Sequence, residues 1–162
     1  MSPFVPTDFI IPLRLEHSQF ILRPLFINDV VKDYAAVMSS VDHLQGLLGL
    51  SDPWPSHDLS FEQDMIDLGW HHKEFQNRTS FAYTIMSPDE SVCLGCTYIY
   101  PSTQQNYDAE AYCWVRKSNF TQLDEMLFET FRTWLQKAWP FSNIAFPGRE
   151  PNWAEWSLSA KA

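Results

Sequence analysis

Residues 106–148 constrain the fold more tightly than any other stretch. YDAEAYCWV at 107–115 is rich in aromatic and β-branched side chains and predicts a strand. RKSNF at 116–120 is a polar break. From Thr121 to Trp139 the apolar residues recur at i, i+3 and i+4, including Leu123, Met126, Leu127, Phe131, Trp134 and Leu135. That spacing predicts a long amphipathic helix with one face on a sheet. Residues 143–146 predict a second short strand. A β-α-β unit of this kind sets a helix N-terminus beside a strand end, a common place to hold a phosphate.

The rest of the chain supplies the other layers. Residues 1–12 form an N-terminal arm, and FILR at 20–23 is a strand stopped by Pro24. Asn28 or Asp29 caps a helix reaching about Met38. Gly and Pro mark residues 46–55 as a loop. Ser60 opens a second helix that fades over residues 76–79. Residues 81–86 and 92–100 form an antiparallel hairpin across the polar turn at 87–91. The order β-α-α-β-β-β-α-β predicts one α+β, three-layer domain over residues 1–162. Its sheet is mixed and mostly antiparallel, with helices on both faces and a β-α-β crossover at 107–146. The short tail, 149–162, carries Trp153 and Trp156, which share a face on a helix and predict packing on the sheet or on a second subunit.

Charge and motif content narrow the function. A net charge of -9 argues against non-specific nucleic-acid binding and favours a cationic partner, an amine or a basic peptide. No apolar run is long enough to cross a bilayer, and the N-terminus lacks a signal-peptide pattern, so a cytoplasmic protein without a membrane partner is expected. Three cysteines fit a reducing compartment. His71 and His72 point about 100° apart on a helix. Cys93 and Cys96 are three apart on a strand and are expected on opposite faces. No metal site is therefore expected. The Gly-x-Ser-x-Gly, Walker and dinucleotide motifs are all missing, so hydrolase, kinase and dehydrogenase chemistry have no local support.

FILRPLFIND at 20–29, LGCTYIY at 94–100 and AEAYCWV at 109–115, in that order, resemble the GNAT superfamily of N-acetyltransferases. The closer likeness is to the branch acting on ribosomal-protein N-termini and similar amines, and it covers residues 10–147. The resemblance implies acetyl transfer from acetyl-CoA, as co-substrate, to a primary amine of a small molecule or a peptide N-terminus. It implies that the pantetheine arm lies in a gap beside the strand at 109–115, bonded to the amides of Cys113, Trp114 and Val115. The pyrophosphate would then sit on Phe120, Thr121, Gln122 and Leu123, with Arg116 and Lys117 nearby.

Two departures keep a second function open. The family loop is glycine-rich so that amides can approach the pyrophosphate, whereas FTQLDE at 120–125 has no glycine. Thr121 with Asp124 instead reads as a capping box, and Asp124 and Glu125 oppose a bound anion. The tail is also too short for the family's closing hairpin, and no tyrosine follows Tyr112. The alternative is a catalytically silent GNAT-like domain used for binding or dimerisation. In the enzyme reading Glu110 deprotonates the amine and Tyr112, on the same strand face, protonates the leaving thiolate. Otherwise Glu110 is a solvated strand residue and Tyr112 a packing one.

Overall fold

The middle strands of the sheet are apolar on both faces, so each face must be covered, and the two coverings define the architecture. The computed structural model describes residues 2–161. Six strands, β1 (Leu15–Glu16), β2 (Ile21–Pro24), β3 (Phe81–Met86), β4 (Cys93–Pro101), β5 (Ala109–Val115) and β6 (Ile144–Ala145), stand side by side in chain order. All neighbours are antiparallel except β5 and β6, which are parallel. The mixed, mostly antiparallel sheet and the crossover are as the sequence implied. Among the described residues no helix is long and apolar enough to cross a membrane.

One face of the sheet presents Phe81, Tyr83, Ile85, Ala111, Cys113 and Val115 to α4 (Phe120–Ala138), whose buried stripe includes Leu123, Leu127, Phe131 and Leu135. The N-terminal arm completes this layer. Phe4 stacks on Phe141 at 5.1 Å and Phe9 meets Trp139 at 5.4 Å. The arm is tied down by Tyr83, whose hydroxyl donates to the Pro12 carbonyl at 2.6 Å, and by Arg78, which donates to the carbonyls of Pro6 and Phe9 at 2.7 and 2.9 Å.

The opposite face presents Ala82, Met86, Tyr98, Tyr112 and Trp114 to α1 (Val30–Met38) and α3 (Phe61–Gln76). A short helix, α2 (Val41–Leu44), links them, and α5 (Trp153–Lys161) ends the described chain. Ser60 caps α3 as expected, its hydroxyl accepting from the Gln63 amide at 3.0 Å. Asp29 stands at the N-cap position of α1, as expected, but its side chain makes no capping hydrogen bond to that helix. A 3-10 turn, Ile27–Asp29, precedes α1, and the Asp29 carboxylate accepts the Phe26 amide at 2.9 Å while pairing with Arg23 at 2.8 and 3.0 Å. It therefore closes the turn, not the helix.

A β-bulge re-phases β4. Ile85 stands opposite Gly95 and Met86 opposite Cys93, so Leu94 is the extra residue. Leu94 turns into the α4-side core, while Cys93 and Cys96 both join the other core. The expectation that these thiols face opposite ways fails because strict alternation stops at a bulge. Gly95 is required there. An added Cβ would lie 1.9 Å from the Trp114 carbonyl oxygen and 3.1 Å from the Val115 Cα, both backbone atoms that cannot swing aside. Gly95→Ala is expected to destabilise the domain by about 1–3 kcal/mol, read as a lowered urea midpoint. Val115→Ala, which removes side-chain bulk beside the bulge without adding a backbone clash, should leave the strand register intact by hydrogen exchange.

Candidate functional site

The β5–β6 seam is short. Only Ala109 with Ile144 and Glu110 with Ala145 are paired, so the two strands part beyond Glu110. Backbone groups alternate along an antiparallel strand. The Trp114 carbonyl presses on Gly95 of β4, whereas the Cys113 carbonyl faces the gap and accepts Arg149 at 3.4 Å. The outward-facing residues of this edge are thus Ala111, Cys113 and Val115. Of the amides expected from the sequence, those of Cys113 and Val115 face the gap and that of Trp114 faces β4. The Trp114 side chain is buried on the α1–α3 face, its indole N–H donating to the Tyr98 hydroxyl at 3.0 Å.

Arg149 stands in the gap. Its guanidinium forks onto Asp124 at 2.7 and 3.0 Å and lies 4.8 Å over the Phe128 ring. A half-buried bidentate pair of this kind is directional and hard to replace by a lysine. This corrects the reading of Asp124. Helix α4 begins at Phe120 after Asn119, no side chain caps it, and Asp124 serves Arg149 instead of Thr121. Thr121 and Gln122 are exposed, Leu123 is buried under the sheet, and the partly exposed Phe120 meets His43 edge-on at 4.5 Å. Arg116 points elsewhere, donating to the Cys93 carbonyl and the Ser39 hydroxyl, each at 3.2 Å. The Lys117 amide donates to the Ser40 hydroxyl at 3.0 Å.

Glu110 and Tyr112 do share a face. Glu110 is buried, and its Oε2 accepts from the Thr103 hydroxyl at 3.2 Å and from the Thr103 amide at 3.4 Å. Burial pushes its carboxyl above the ordinary range, which the Thr103 donors partly oppose. Burial also raises the Tyr112 hydroxyl, with the Glu110 charge acting in the same direction. The Tyr112 ring meets Tyr100 at 6.1 Å. At this end of the sheet Trp153 packs over Gly148 and Trp156 meets Tyr107 at 5.7 Å, so both tail tryptophans pack within the chain.

The same face holds a cavity of about 280 Å³ between α1, α3 and β4. Asp33 and Asp64 line it at 3% and 2% exposure, and Trp54, Trp70, Tyr98 and Tyr100 supply aromatic walls. Asp33 accepts the Cys96 thiol at 3.3 Å. Asp64 Oδ2 is buried without a donor. Desolvation pushes both carboxyls well above the ordinary range; the charge and contact of Asp33 raise Asp64 further, while the hydrogen bond from Asp64 partly lowers Asp33. One proton shared between them would provide the missing contact. Sequence reading passed over this pair because Asp33 and Asp64 lie on different helices, 31 positions apart. The available signal was an aspartate on the apolar stripe of each helix. The bulge also brings ligand-type atoms of Asp33, Cys93 and Cys96 within 4.8 Å of one another, a grouping not expected from the sequence.

No family model matches the chain, and no curated protein matches it either. Solved structures do. The ribosomal-protein-S5-alanine acetyltransferase of Vibrio fischeri is 15% identical with a TM-score of 0.62, over 78% of this chain and 69% of that one. A provisionally named ribosomal-protein-serine acetyltransferase of Vibrio cholerae is 10% identical with a TM-score of 0.61, over 98% and 84%. The ribosomal L7/L12 α-N-protein acetyltransferase RimL, solved with coenzyme A, is 18% identical with a TM-score of 0.58, over 78% and 67%. At such identities the likeness establishes the fold, and the fold is that of the GNAT acetyltransferases.

The Asp33–Asp64 pair predicts an inverted pH dependence. A carboxyl whose pKa is raised by folding binds its proton more tightly in the native state, so its stabilisation is full below about pH 4 and is lost as pH rises through the raised titration. The groups around the pair are Asp29, Asp67, Cys93 and Cys96, with Asp52 and His71 lining the same cavity; burial lowers the His71 imidazole, and Glu110 shifts upward elsewhere on the face. Asp64→Asn is expected to stabilise the chain by about 1–3 kcal/mol at pH 8 and to flatten the loss between pH 5 and pH 8, measured by urea unfolding at each pH.

Proposed function

We propose that this chain transfers the acetyl group of acetyl-CoA to a primary amine. The observation that carries the reading is the parting of β5 from β6 just beyond the Glu110–Ala145 pair, which leaves the outward edge of Cys113 and Val115 without a strand partner. A pantetheine arm is an extended amide chain and suits such an edge. Arg149 already lies against it, bonded to the Cys113 carbonyl and to Asp124. Phosphates arriving at this end would take the guanidinium from Asp124, a role the glycine-free start of α4 leaves to a side chain.

Glu110 takes the first proton from the incoming ammonium, a task suited to a carboxyl held above its ordinary range. The neutral amine attacks the thioester carbonyl carbon, and a C–N bond forms. The outward amides of Cys113 and Val115 stabilise the oxyanion. The C–S bond then breaks, and the thiolate is protonated by Tyr112, which is re-protonated by the amine's second proton. The acceptor is a small amine or a basic peptide, in keeping with the net charge of -9. The three buried free thiols support a cytoplasmic setting.

Calorimetric titration with acetyl-CoA tests the donor site. Arg149→Ala is expected to weaken binding about tenfold, or about 1.4 kcal/mol. Glu110→Gln is expected to leave that affinity unchanged while lowering kcat by about 10²–10⁴ in a thiol-release assay over an amine panel. No binding at millimolar acetyl-CoA would sink the enzyme reading and leave a GNAT-shaped binding or dimerisation domain.

A further inference from the structure

We propose that the cavity floored by Asp33 and Asp64 anchors one ammonium group of an aliphatic molecule bearing two amines, and presents the other amine to Glu110. The second half of this inference rests on the function proposed above, whereas the first half stands on the cavity alone.

The floor asks for a cation. Two carboxyls, each more than nine-tenths buried, face one cavity, and Asp64 Oδ2 has no donor within the chain. Burying an unpaired charge is costly, so a site of this kind is either protonated or occupied by a positive group. The walls decide what kind of positive group it is. Trp54, Trp70, Tyr98 and Tyr100 line the cavity, and aromatic faces attract an alkylammonium through their quadrupoles. His71 shares this wall, stacked on Tyr98 at 5.3 Å, but burial disfavours its charged form, so the chain's own imidazole does not supply the cation. Leu25, Leu48 and Leu68 add apolar lining that suits methylene groups. Cys93 and Cys96 stand close to Asp33 but do not line the cavity, so the open space is not explained by a metal centre.

Size and distance set the substrate class. At about 280 Å³ the cavity is at the small end for ligand pockets and accepts a side-chain-sized group, not a folded peptide. The ammonium held there is not the one that reacts. Cys96, whose thiol touches Asp33, and Tyr100, which pairs with Glu110, are four residues apart on β4. Four residues of extended strand span about 13 Å. Tyr98 lines the cavity, Tyr100 follows it at 6.2 Å between ring centres, and Tyr112 follows at 6.1 Å, so an aromatic track runs from anchor to base. The free amine at the far end attacks the thioester carbonyl carbon. The C–N bond forms, the C–S bond breaks, CoA leaves as its thiol carrying one proton, and the other proton passes through Glu110 to solvent. The tethered pair of amines can be a free diamine or polyamine, or a peptide whose N-terminal amine is followed by lysine.

Calorimetry of the full chain without acetyl-CoA tests the anchor. The probes are unbranched diamines of increasing length, a Gly-Lys peptide with its Gly-Ala counterpart, and zinc chloride. A diamine or the lysine peptide is expected to bind, and the tighter of the two identifies the source. Asp64→Asn and, independently, Asp33→Asn should each weaken that binding at least tenfold with an unchanged circular dichroism spectrum, while Glu16→Gln, exposed on the edge strand β1, retains it. Failure of every amine to bind, or binding indifferent to both aspartate substitutions, would overturn the proposal. So would stoichiometric zinc uptake that depends on Cys96 and blocks the amine. If amines bind but acetyl-CoA does not, the anchor stands and the acetyl-transfer reading fails.

Discussion

The close approach of Gly95 to the Trp114 carbonyl is the contact on which the two halves of the molecule depend. It permits the bulge in β4, and the bulge decides which side chains face which core. Leu94 is delivered to the α4 side, and both thiols are delivered to the side of α1 and α3. With unbroken alternation across this stretch, Cys93 would leave the environment of Asp33 and an apolar leucine would take its place. The acidic cavity and the packing beneath α4 therefore answer to one backbone irregularity and to the single residue without a Cβ that allows it.

Much of the architecture was legible in the sequence because period and punctuation agreed. The stripe from Leu123 to Leu135, the hairpin turn at 87–91 and the Ser60 cap each point one way in local physics and in the fold. What was illegible came from non-local contacts. Asp124 satisfies every local rule for a capping residue, yet it is claimed by Arg149 from 25 positions downstream. A bidentate guanidinium offers more than a single amide donor, so the tertiary partner wins. The bulge was hidden for a related reason. Period-2 reasoning assumes regular pairing, and the extra residue is visible only once β3 and β4 are set in register.

The candidate site divides along the same line. Glu110 and Tyr112 were readable because they lie on one strand, where alternation fixes their common face. Asp33 and Asp64 were not readable, since nothing in either helix announces the other. Each looks like an isolated acid spoiling an apolar stripe. Only the packing of α1 on α3 turns two local flaws into one electrostatic feature, and the aromatic residues around it come from a loop, a helix and a strand.

The order of the strands has a kinetic meaning. The neighbouring pairs β1–β2, β3–β4 and β4–β5 are antiparallel and close over short connections, whereas β2 meets β3 only after α1, α2 and α3, in an extended four-pair contact. The parallel contact of β5 with β6 must wait for the whole of α4 to be laid across the sheet, and it consists of two residue pairs. Such a late and slender seam lies at the low-stability end of a structure, where local opening requires the least free energy. The gap holding Arg149 is hinged on that seam. Its widening can draw on a fluctuation of the sheet's edge while the doubly covered central strands stay closed, so access for a long ligand and integrity of the core are separated by the order in which the chain is built.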